Sequence, residues 1–198
     1  LGDVYKRQEC TLLAGNLILP NSLQKIGDDA FYRCEKLTGN LIIPNSVVNM
    51  GEYAFYSCSG FDGLLTLSSE LTRIPAGCFF ATGFSGNLII PDNVKFIGDN
   101  AFTSCRNFKG YLLLGNGIAG NGTNGGSQSI GDSAFSAGND PIFRKVYAKS
   151  SLPALINSEA FGANSWYSIN LYVPIGAKEI YQNISFWKKC GSIEEVEF

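Results

Sequence analysis

Histidine is absent from this sequence of 198 residues. Its absence excludes catalytic triads that depend on a histidine base, and it removes the commonest nitrogen ligand of zinc. Catalysis by carboxylates alone or by a Ser/Lys pair remains open in principle, but no motif points to either. We therefore expect a protein that is not an enzyme, with no catalytic residue, no metal site and no cofactor.

Charged side chains are also scarce: they make up 16% of the residues, whereas about 25% is usual in soluble domains. The net charge of −2 and the pI near 5.2 argue against a nucleic-acid partner, because phosphate binding needs clustered Lys and Arg. The longest apolar runs, such as YLLL at 111–114, are too short to span a bilayer. Hydrophobic residues nevertheless reach 45% and glycines number 23, which predicts a body rich in turns with buried apolar rows.

A nine-residue phrase recurs along the chain. It is IGDDAFYRC at 26–34, MGEYAFYSC at 50–58 and IGDNAFTSC at 97–105. Its phenylalanine recurs at Phe31, Phe55, Phe79, Phe102, Phe135 and Phe161. A second marker keeps the same step, as LILP at 17, LIIP at 41, LTLS at 65, LIIP at 88 and LLLG at 112, and more loosely as VYA at 146 and LYVP at 171. A period of about 20 to 29 residues with leucines at fixed offsets is the signature of leucine-rich repeats.

Each repeat unit has three parts with separate physical roles. The segment G-N-L-I-I-P predicts a short strand, opened by Gly and ended by a Pro that has no N–H to give to a β-ladder. An apolar pair spaced by three, such as Leu23 and Ile26, predicts a second extended stretch, and the Gly after it permits a tight corner. The piece A-F-x-x-C fits a single helical or 3₁₀ turn whose Phe fills the core. Because one unit cannot bury these rows alone, we expect the units to stack as rungs, each rung being one turn of a solenoid.

The repeat pattern L-x-I-P-x-S-V-x-x-I-G-x-x-A-F-x-x-C-x-x-L-T-G resembles the BspA-type leucine-rich repeat family, over residues 10–145 with one interruption. The end of the chain is similar to the closing segment of such arrays. That segment's pattern falls on Val173, Pro174, Gly176, Tyr181 and Trp187, with Cys190 where an aromatic residue is commoner. The resemblance implies a leucine-rich-repeat solenoid, mostly β with short helical or 3₁₀ turns, with about seven parallel rungs and a C-terminal cap.

The repeat register also predicts the organisation of the chain. Residues 1–8 do not follow the repeat and resemble a translated adapter, so we expect a non-native leader that contributes no rung, with any signal or anchor lying upstream. Residues 9–170 are the predicted leucine-rich repeat array, and its Gly/Asn-rich insert at 115–129 is expected to be a flexible surface loop. Residues 171–198 are the predicted capping segment, in which Trp187 is expected to cover the open end of the core.

Most of the cysteines occupy one column of the repeat. The column contains Cys10, Cys34, Cys58 and Cys105, with Thr82 and Gly138 replacing cysteine where the column breaks; Cys78 takes the place of the repeat's Ala, and Cys190 lies in the cap. The pattern favours an inward column of small, buried, free thiols. Disulfides between neighbouring rungs stay open as an alternative, because stacked positions are close enough to bond. A metal site is disfavoured, since no C-x-x-C pair or histidine completes it.

The family resemblance carries an expectation about function. It implies a secreted or cell-surface protein of bacteria or some protists, linked to adhesion to host proteins or to other cells. The chain is accordingly expected to be a non-enzymatic protein-binding module whose partner is a host extracellular or cell-surface protein. The alternative is a structural spacer solenoid that displays other domains of a longer surface protein. The sequence indicates no oligomeric state.

The strand marker also predicts a binding surface. Side chains alternate along a strand, so if the first and third positions of L-I-I point inward, the middle one points outward. This outward row consists of Ile18, Ile42, Thr66, Ile89, Leu113, Tyr147 and Tyr172. Seven rungs at about 4.8 Å give a stripe roughly 30 Å long, and contiguous apolar surface of that extent usually marks an interaction site. Three alternatives stay open: β-propensity alone selects these residues, a neighbouring segment covers the row, or the 115–129 loop is the recognition element.

Overall fold

In the computed structural model the chain is a β-solenoid of about seven turns, described for residues 3–4, 12–119, 129–138, 140–163 and 166–198. Its strands, in chain order, are β1 Asp3–Val4, β2 Ala14–Asn16, β3 Lys25–Ile26, β4 Lys36–Thr38, β5 Leu41–Ile42, β6 Asn49–Met50, β7 Leu65–Thr66, β8 Arg73–Ile74, β9 Gly86–Ile89, β10 Phe96–Ile97, β11 Phe108–Leu114, β12 Ser136–Ala137, β13 Asp140–Pro141, β14 Lys145–Ala148, β15 Asn170–Pro174 and β16 Ser192–Val196. Helical structure in the described residues is limited to α1, Lys178–Gln182, and to 3₁₀ turns at Trp166–Ser168 and Trp187–Lys189. The predicted fold class is confirmed.

Two parallel ladders run along the solenoid. The first contains the L-I-I segments, as the pair β5–β7 and as a five-stranded sheet in the order β16-β15-β14-β11-β9. The second contains the predicted second stretch, as β1-β3-β6 and β8-β10, and single bridges continue it through Ile97, Ile130 and Ile156. Strands of two residues are too short to be stable alone. Stacking stabilises them because the backbone of each rung finds its hydrogen-bond partners on the next rung.

The phenylalanine column forms the centre of the core, as predicted. Its rings stack in the order Phe31, Phe55, Phe79, Phe102, Phe135 and Phe161, with successive centroids 5.0, 5.5, 5.2, 5.5 and 5.2 Å apart. All six side chains are buried, and burial of each contributes about 1.5–3 kcal/mol to the hydrophobic stabilisation. A residue type repeated at one position of the unit therefore becomes a continuous row of ring-on-ring contacts in the folded chain.

The A-F-x-x-C segments differ from the prediction, because they form pairs of tight turns instead of a helical or 3₁₀ turn. In the first of them, Asp29 and Arg33 adopt left-handed φ values of 54° and 55°. The N–H groups then alternate in direction: Phe31 donates to Ala54 on the next rung, while Tyr32 donates back to Asp29. A helix would direct every N–H along its own segment. The left-handed residues instead leave every second N–H free to bond the neighbouring rung.

The glycine after the second stretch is required for close stacking of rungs. A Cβ built on Gly51 would overlap the backbone N of Asp28, and one built on Gly98 would overlap the backbone N of Ala76. Neither Gly51 nor Gly98 has a positive φ. The corner interpretation is therefore corrected: these positions exclude a side chain because the preceding rung lies directly against the backbone.

Asn and Asp side chains connect neighbouring rungs at fixed positions of the repeat. Asn40 and Asn87, which open the strands of the first ladder, accept hydrogen bonds from the backbone N–H of the residue 24 positions later, at 2.7 and 3.0 Å. Asn45 and Asp92, which follow the prolines, do the same for Ser69 and Asn116, each at 3.0 Å. The sequence predicted only turn formation for the residues after proline. The structure shows that their side chains also fix the register between rungs.

The two ends of the solenoid differ. At the N-terminal end, Asp3–Val4 pairs in parallel with Lys25–Ile26, so these two residues of the 1–8 segment continue the second ladder although the segment was expected to contribute no rung. The assignment of residues 1–8 as an adapter-like leader stays a prediction. Most of the insert at 115–129 lies outside the described residues, and its expected flexibility is likewise a prediction.

At the C-terminal end, the predicted capping segment packs over the core. Trp187 is fully buried, and its ring lies 6.0 Å from the ring of Phe161 in an edge contact. Its Nε1–H donates to the Ala154 carbonyl at 3.0 Å. The Tyr181 hydroxyl donates to the Ser150 carbonyl at 2.8 Å. Each large ring thus covers the last phenylalanine region with carbon and satisfies its polar atom on the preceding rung, as buried Trp and Tyr require.

The described cysteines of the repeat column point into the core, as predicted. Cys34, Cys58 and Cys105 are buried in one column, and Cys10 lies outside the described residues. Every described cysteine carries a thiol instead of a disulfide sulfur. The Cys58 thiol donates to the Phe31 carbonyl at 2.9 Å.

The environment of these thiols keeps them protonated. A hydrogen bond with the Cys34 side chain raises the pKa of Cys58, and burial raises it further. Burial also raises the pKa of Cys105 to about 11 and that of the half-buried Cys190 to about 12. The reactive thiolate is therefore disfavoured at all three positions near neutral pH.

Candidate functional site

The first ladder presents the predicted alternation of side chains. The first and third positions of its strands are buried, at Leu41, Ile43, Leu65, Leu67, Leu88, Ile90, Leu112 and Leu114, whereas Leu17 at the open end is half-buried. These side chains fill the space between the strand face and the phenylalanine column. The middle positions are consequently directed away from the core.

The outward row has two sections that differ in exposure. Ile18, Ile42 and Ile89 have 87%, 60% and 51% of their surface exposed, and Thr66 is also exposed. The remaining members, Leu113, Tyr147 and Tyr172, are half-buried. No member of the row is buried inside the chain, and exposure is greatest at the N-terminal end.

Strand pairing brings most of the row into direct register. Ile42 pairs with Thr66 across β5 and β7. A longer run pairs Ile89 with Leu113, Leu113 with Tyr147, and Tyr147 with Tyr172. Among the described strands none pairs β7 with β9, so the register is not continued directly from Thr66 to Ile89, and Ile18 follows the end of β2. The row consists of an N-terminal part and a C-terminal part on the same face.

Aromatic contacts explain why the C-terminal part is half-buried. The rings of Tyr147 and Tyr172 stack at 4.5 Å with an interplanar angle of 14°. Tyr111 and Phe198 contact the Tyr147 ring in edge geometry, at 5.2 and 6.4 Å. We call these four residues the aromatic cluster. Sequence reasoning missed Tyr111 and Phe198. Alternation could have identified Tyr111, which lies two positions before Leu113, but the last residue of the chain carries no such signal.

The electrostatic surroundings of the row change along it. In register after Tyr172 comes Glu194 of β16. Partial loss of hydration raises the pKa of Tyr172, and the Glu194 carboxylate raises it further. Tyr172 therefore stays protonated and uncharged near neutral pH. The Glu194 carboxylate lies beside the C-terminal end of the row.

Each strand segment of the first ladder has a second outward position, which lies two residues before its member of the row. In two rungs it is Asn40 and Asn87, whose side-chain oxygens are occupied by the hydrogen bonds to Leu64 and Tyr111. Leu64 at the same position leaves 53% of its surface exposed. The side-chain oxygens of Asn40 and Asn87 are thus used between rungs, whereas Lys145 and Asn170 place exposed polar groups at the same position of the C-terminal rungs.

The N-terminal part of the row borders a shallow cavity of 320 Å³. The residues that line it include Ile18, Ile42, Asn16, Asn40 and Pro44. A cavity of this size between two exposed isoleucines can accept an apolar side chain of a partner.

The described part of the chain contains neither a cluster of metal-ligating side chains nor a helix able to span a membrane. No group of three or more His, Cys, Asp or Glu side chains there is arranged to hold a metal ion. None of the helices within the same residues has the length and apolar character needed to span a bilayer.

The family model described as "BspA type Leucine rich repeat region" matches residues 8–113 in six copies. Curated protein sequences gave no significant match.

Among solved structures, the pneumococcal vaccine antigen PcpA matches with a TM-score of 0.62 and 18% identity over 90% of this chain, which spans 40% of that protein's chain. A leucine-rich cell-surface protein of Faecalibacterium prausnitzii gives 0.42 and 17% over 96% of this chain and 75% of that one. A leucine-rich repeat protein of Bacteroides ovatus gives 0.36 and 15% over 96% and 70%. The first of these similarities supports the fold.

Proposed function

This chain belongs to the BspA-type leucine-rich repeat family, and we propose that it is a non-enzymatic protein-binding module of a cell-surface or secreted protein. In this proposal the outward row of the first ladder contacts a host protein or a protein on another cell. The row comprises Ile18, Ile42, Thr66, Ile89, Leu113, Tyr147 and Tyr172.

The exposure of the row is the observation that carries the proposal. A row covered by a neighbouring segment of its own chain would be buried, whereas Ile18, Ile42 and Ile89 each expose more than half of their surface. Selection for β-propensity alone stays an alternative. Exposed branched aliphatic residues on one face are costly in water and favour association with a complementary apolar surface. The aromatic cluster supplies amphipathic anchors at the other end of the same face.

A surface location is the second part of the proposal. The pneumococcal protein that shares the fold is a vaccine antigen. Adhesion to a host protein or cell is the finer expectation, and it rests on the family together with the outward row. This chain spans 40% of that antigen's length. The activity of the whole protein to which this chain belongs is therefore part of the proposal.

A spacer solenoid is the alternative function, and one observation favours it. Thr66 places a hydroxyl in the row, and in the described strands the pairing stops between β7 and β9. A spacer needs no continuous apolar stripe, so such an interruption would have no cost. The two functions predict different effects of a charge introduced into the row. The charge weakens binding if the row is the binding site, and it has no effect on binding if the chain is a spacer.

The test introduces one positive charge at a time into the row. Ile42→Lys and Ile89→Lys are compared with Val48→Lys, a control residue that is 46% exposed but lies outside the first ladder. Binding to immobilised extracellular-matrix proteins and to whole host cells is measured for variants with unchanged melting temperature. The proposal predicts loss of binding for both isoleucine variants and retention for the control.

Two results would contradict the outward row as the binding site. If both isoleucine variants bind as well as the parent, the binding site lies elsewhere, and the 115–129 loop is the next candidate. If no variant, control or parent binds any protein or cell, the spacer function is supported instead.

A further inference from the structure

The five-stranded sheet of the first ladder ends at β16, Ser192–Val196. All five residues of β16 pair in parallel with β15 on one side, and no strand among the described residues pairs with the other side. The other strands that lie at sheet edges have two to four residues in the described chain. The open side of β16 is therefore the longest strand edge without a partner that the described residues form.

The hydrogen-bond pattern of the ladder shows which backbone groups of β16 lie on its open side. In an earlier rung the inward residue Leu41 donates its N–H to the Leu64 carbonyl of the following rung at 2.9 Å. Ile193 and Glu195 stand at the corresponding positions of β16, in register with the buried residues of β15. Outside the β15–β16 ladder, the N–H of neither residue makes a backbone hydrogen bond within the described chain. Since alternate residues of a parallel strand bond opposite neighbours, these two N–H groups point to the open side.

The open strand also carries negative charge. Ser192–Phe198 contains three glutamates and no Lys or Arg, and all three glutamates are exposed. The carboxylate of Glu195 accepts hydrogen bonds from two backbone N–H groups of the cap, at 2.9 and 3.1 Å. The ion pairs between described residues involve neither Glu194 nor Glu197. A strand that pairs with this edge therefore meets two carboxylates without a cationic partner.

These carboxylates disfavour pairing with a second copy of the chain. Two copies joined through β16 about a two-fold axis would run antiparallel, which brings the glutamates of one copy beside those of the other. Like charges at facing positions of a sheet are destabilising, and charged side chains commonly protect sheet edges from self-association. The same carboxylates attract a strand that carries Lys or Arg.

We propose that the open edge of β16 binds an extended, basic segment of a protein partner, which adds a sixth strand to the sheet. Backbone hydrogen bonds to Ile193 and Glu195 supply the affinity, as in other proteins that bind a peptide at a sheet edge. Lys or Arg side chains of the segment lie beside Glu194 and Glu197, and they select basic sequences over acidic ones. The inference goes beyond the outward row and does not rest on it, because it uses backbone groups of the last strand instead of apolar side chains.

The test measures binding of synthetic peptides to the intact chain by isothermal titration calorimetry. The basic peptide TKVKVKT is compared with the acidic peptide TEVEVET and with TKVKVKT methylated at all backbone nitrogens. We expect the basic peptide to bind with an affinity that falls as salt is added. The methylated peptide should bind at least about tenfold more weakly, because it keeps the charge but has lost the backbone donors. The acidic peptide should also bind more weakly, by about the same factor.

Amide hydrogen exchange, followed by NMR, locates the bound peptide. The N–H groups of Ile193 and Glu195 should exchange more slowly when the basic peptide is present, and the methylated peptide should leave their exchange unchanged. Binding should be unaffected by Ile42→Lys, which separates this site from the outward row.

Charge-reversal variants assign the selectivity to the glutamates. Glu194→Lys and Glu197→Lys are each expected to weaken binding of the basic peptide about threefold or more and to strengthen binding of the acidic one, since each removes an attractive cross-strand pair and adds a repulsive one. Glu52→Lys, at an exposed glutamate of an N-terminal rung, is the matched control and should change neither affinity. Absence of binding by the basic peptide, equal binding by the acidic or the methylated peptide, unchanged exchange at Ile193 and Glu195, or unchanged affinity in both glutamate variants of β16 and its flank would each overturn the proposal.

Discussion

The Asn40 side-chain oxygen accepts a hydrogen bond of 2.7 Å from the backbone N–H of Leu64, a residue 24 positions later in the chain and one rung further along the solenoid. Asn87 stands in the same relationship to Tyr111 at 3.0 Å. The bond fixes the start of each strand against the start of the next. In this way a polar side chain at a repeated position sets the register on which the outward row depends.

Removal of this bond should lower the stability of the solenoid modestly. We expect Asn40→Ala to reduce the free energy of unfolding by about 0.5–1.5 kcal/mol, the net value of one hydrogen bond at an accessible site. Urea denaturation followed by tyrosine and tryptophan fluorescence measures the change. Asn49→Ala is the matched control, because Asn49 is exposed and its side chain makes none of the cross-rung hydrogen bonds found between the described residues. Equal losses in both variants would contradict this role of Asn40.

The position of a phenylalanine within the stack should determine the cost of its removal. Phe102 lies between the rings of Phe79 and Phe135, at 5.2 and 5.5 Å, whereas among the described rings Phe31 stacks on Phe55 alone. Phe102→Ala is expected to lower the free energy of unfolding by about 3–5 kcal/mol, because it leaves a cavity between two packed rungs. Phe31→Ala should cost clearly less. Calorimetric melting of both variants checks the order, and a larger loss at Phe31 would contradict it.

Thiol chemistry should follow burial and pKa. Burial raises the pKa of Cys78 as well as that of Cys105, whose pKa is about 11. In native protein at pH 8 we expect Cys58, Cys78 and Cys105 to resist iodoacetamide, since the thiolate is the reactive form. Half-buried Cys190 should react faster than these three because its sulfur is more accessible to the reagent, although its pKa, about 12, is no lower than the value of about 11 at Cys105. Peptide mapping by mass spectrometry measures each site, with urea-unfolded protein as the fully reactive reference. Rapid native labelling of Cys105 would contradict the buried assignment.

Acid should weaken one contact between rungs in a defined pH range. The Asn116 N–H and the Lys149 ammonium lower the pKa of the Asp92 carboxyl below its ordinary 3.8. Because the folded-state pKa is the lower one, the contribution of Asp92 is fully present above about pH 4 and is lost as the pH falls through its folded pKa. Asp92→Asn should therefore lower the melting temperature at pH 6 and have little effect at the acidic end of the profile.

The acid prediction has an internal control. Asparagine at position 92 can keep the hydrogen bond to the next rung, as Asn45 does with Ser69 at 3.0 Å, so the substitution removes mainly the ion pair with Lys149, at 3.2 Å. Lys149→Gln should reproduce the effect, and the double variant should add little to either single one. A difference between Asp92→Asn and parent that persists unchanged down to the lowest pH would contradict the assignment to this carboxyl.

The solenoid, its two ladders and its core columns were predictable from the sequence because each depends on a residue recurring at a constant step. Phe55 and Phe79 occur at the same position of successive units, so stacking the units brings the two rings together without further information. The outward direction of Ile42 and Ile89 followed in the same way from strand alternation. The inward direction of Cys58 and Cys105 followed from their shared repeat position.

Features that depend on contacts outside one repeat unit were decided by the tertiary structure. The A-F-x-x-C segment is compatible with a helical turn when taken alone, and it becomes a pair of tight turns because Phe31 N–H bonds to Ala54 of the next rung. Phe198 joins the aromatic cluster because the final strand returns beside β15.

The antiparallel β12–β13 pair likewise corresponds to no repeated position of the unit. A repeated sequence therefore determined the contacts made identically in every rung, since stacking copies one local pattern along the axis. The remaining features needed the folded chain, because each depends on a hydrogen bond or ring contact with a neighbouring rung or with the final strand, which one repeat unit taken alone does not show.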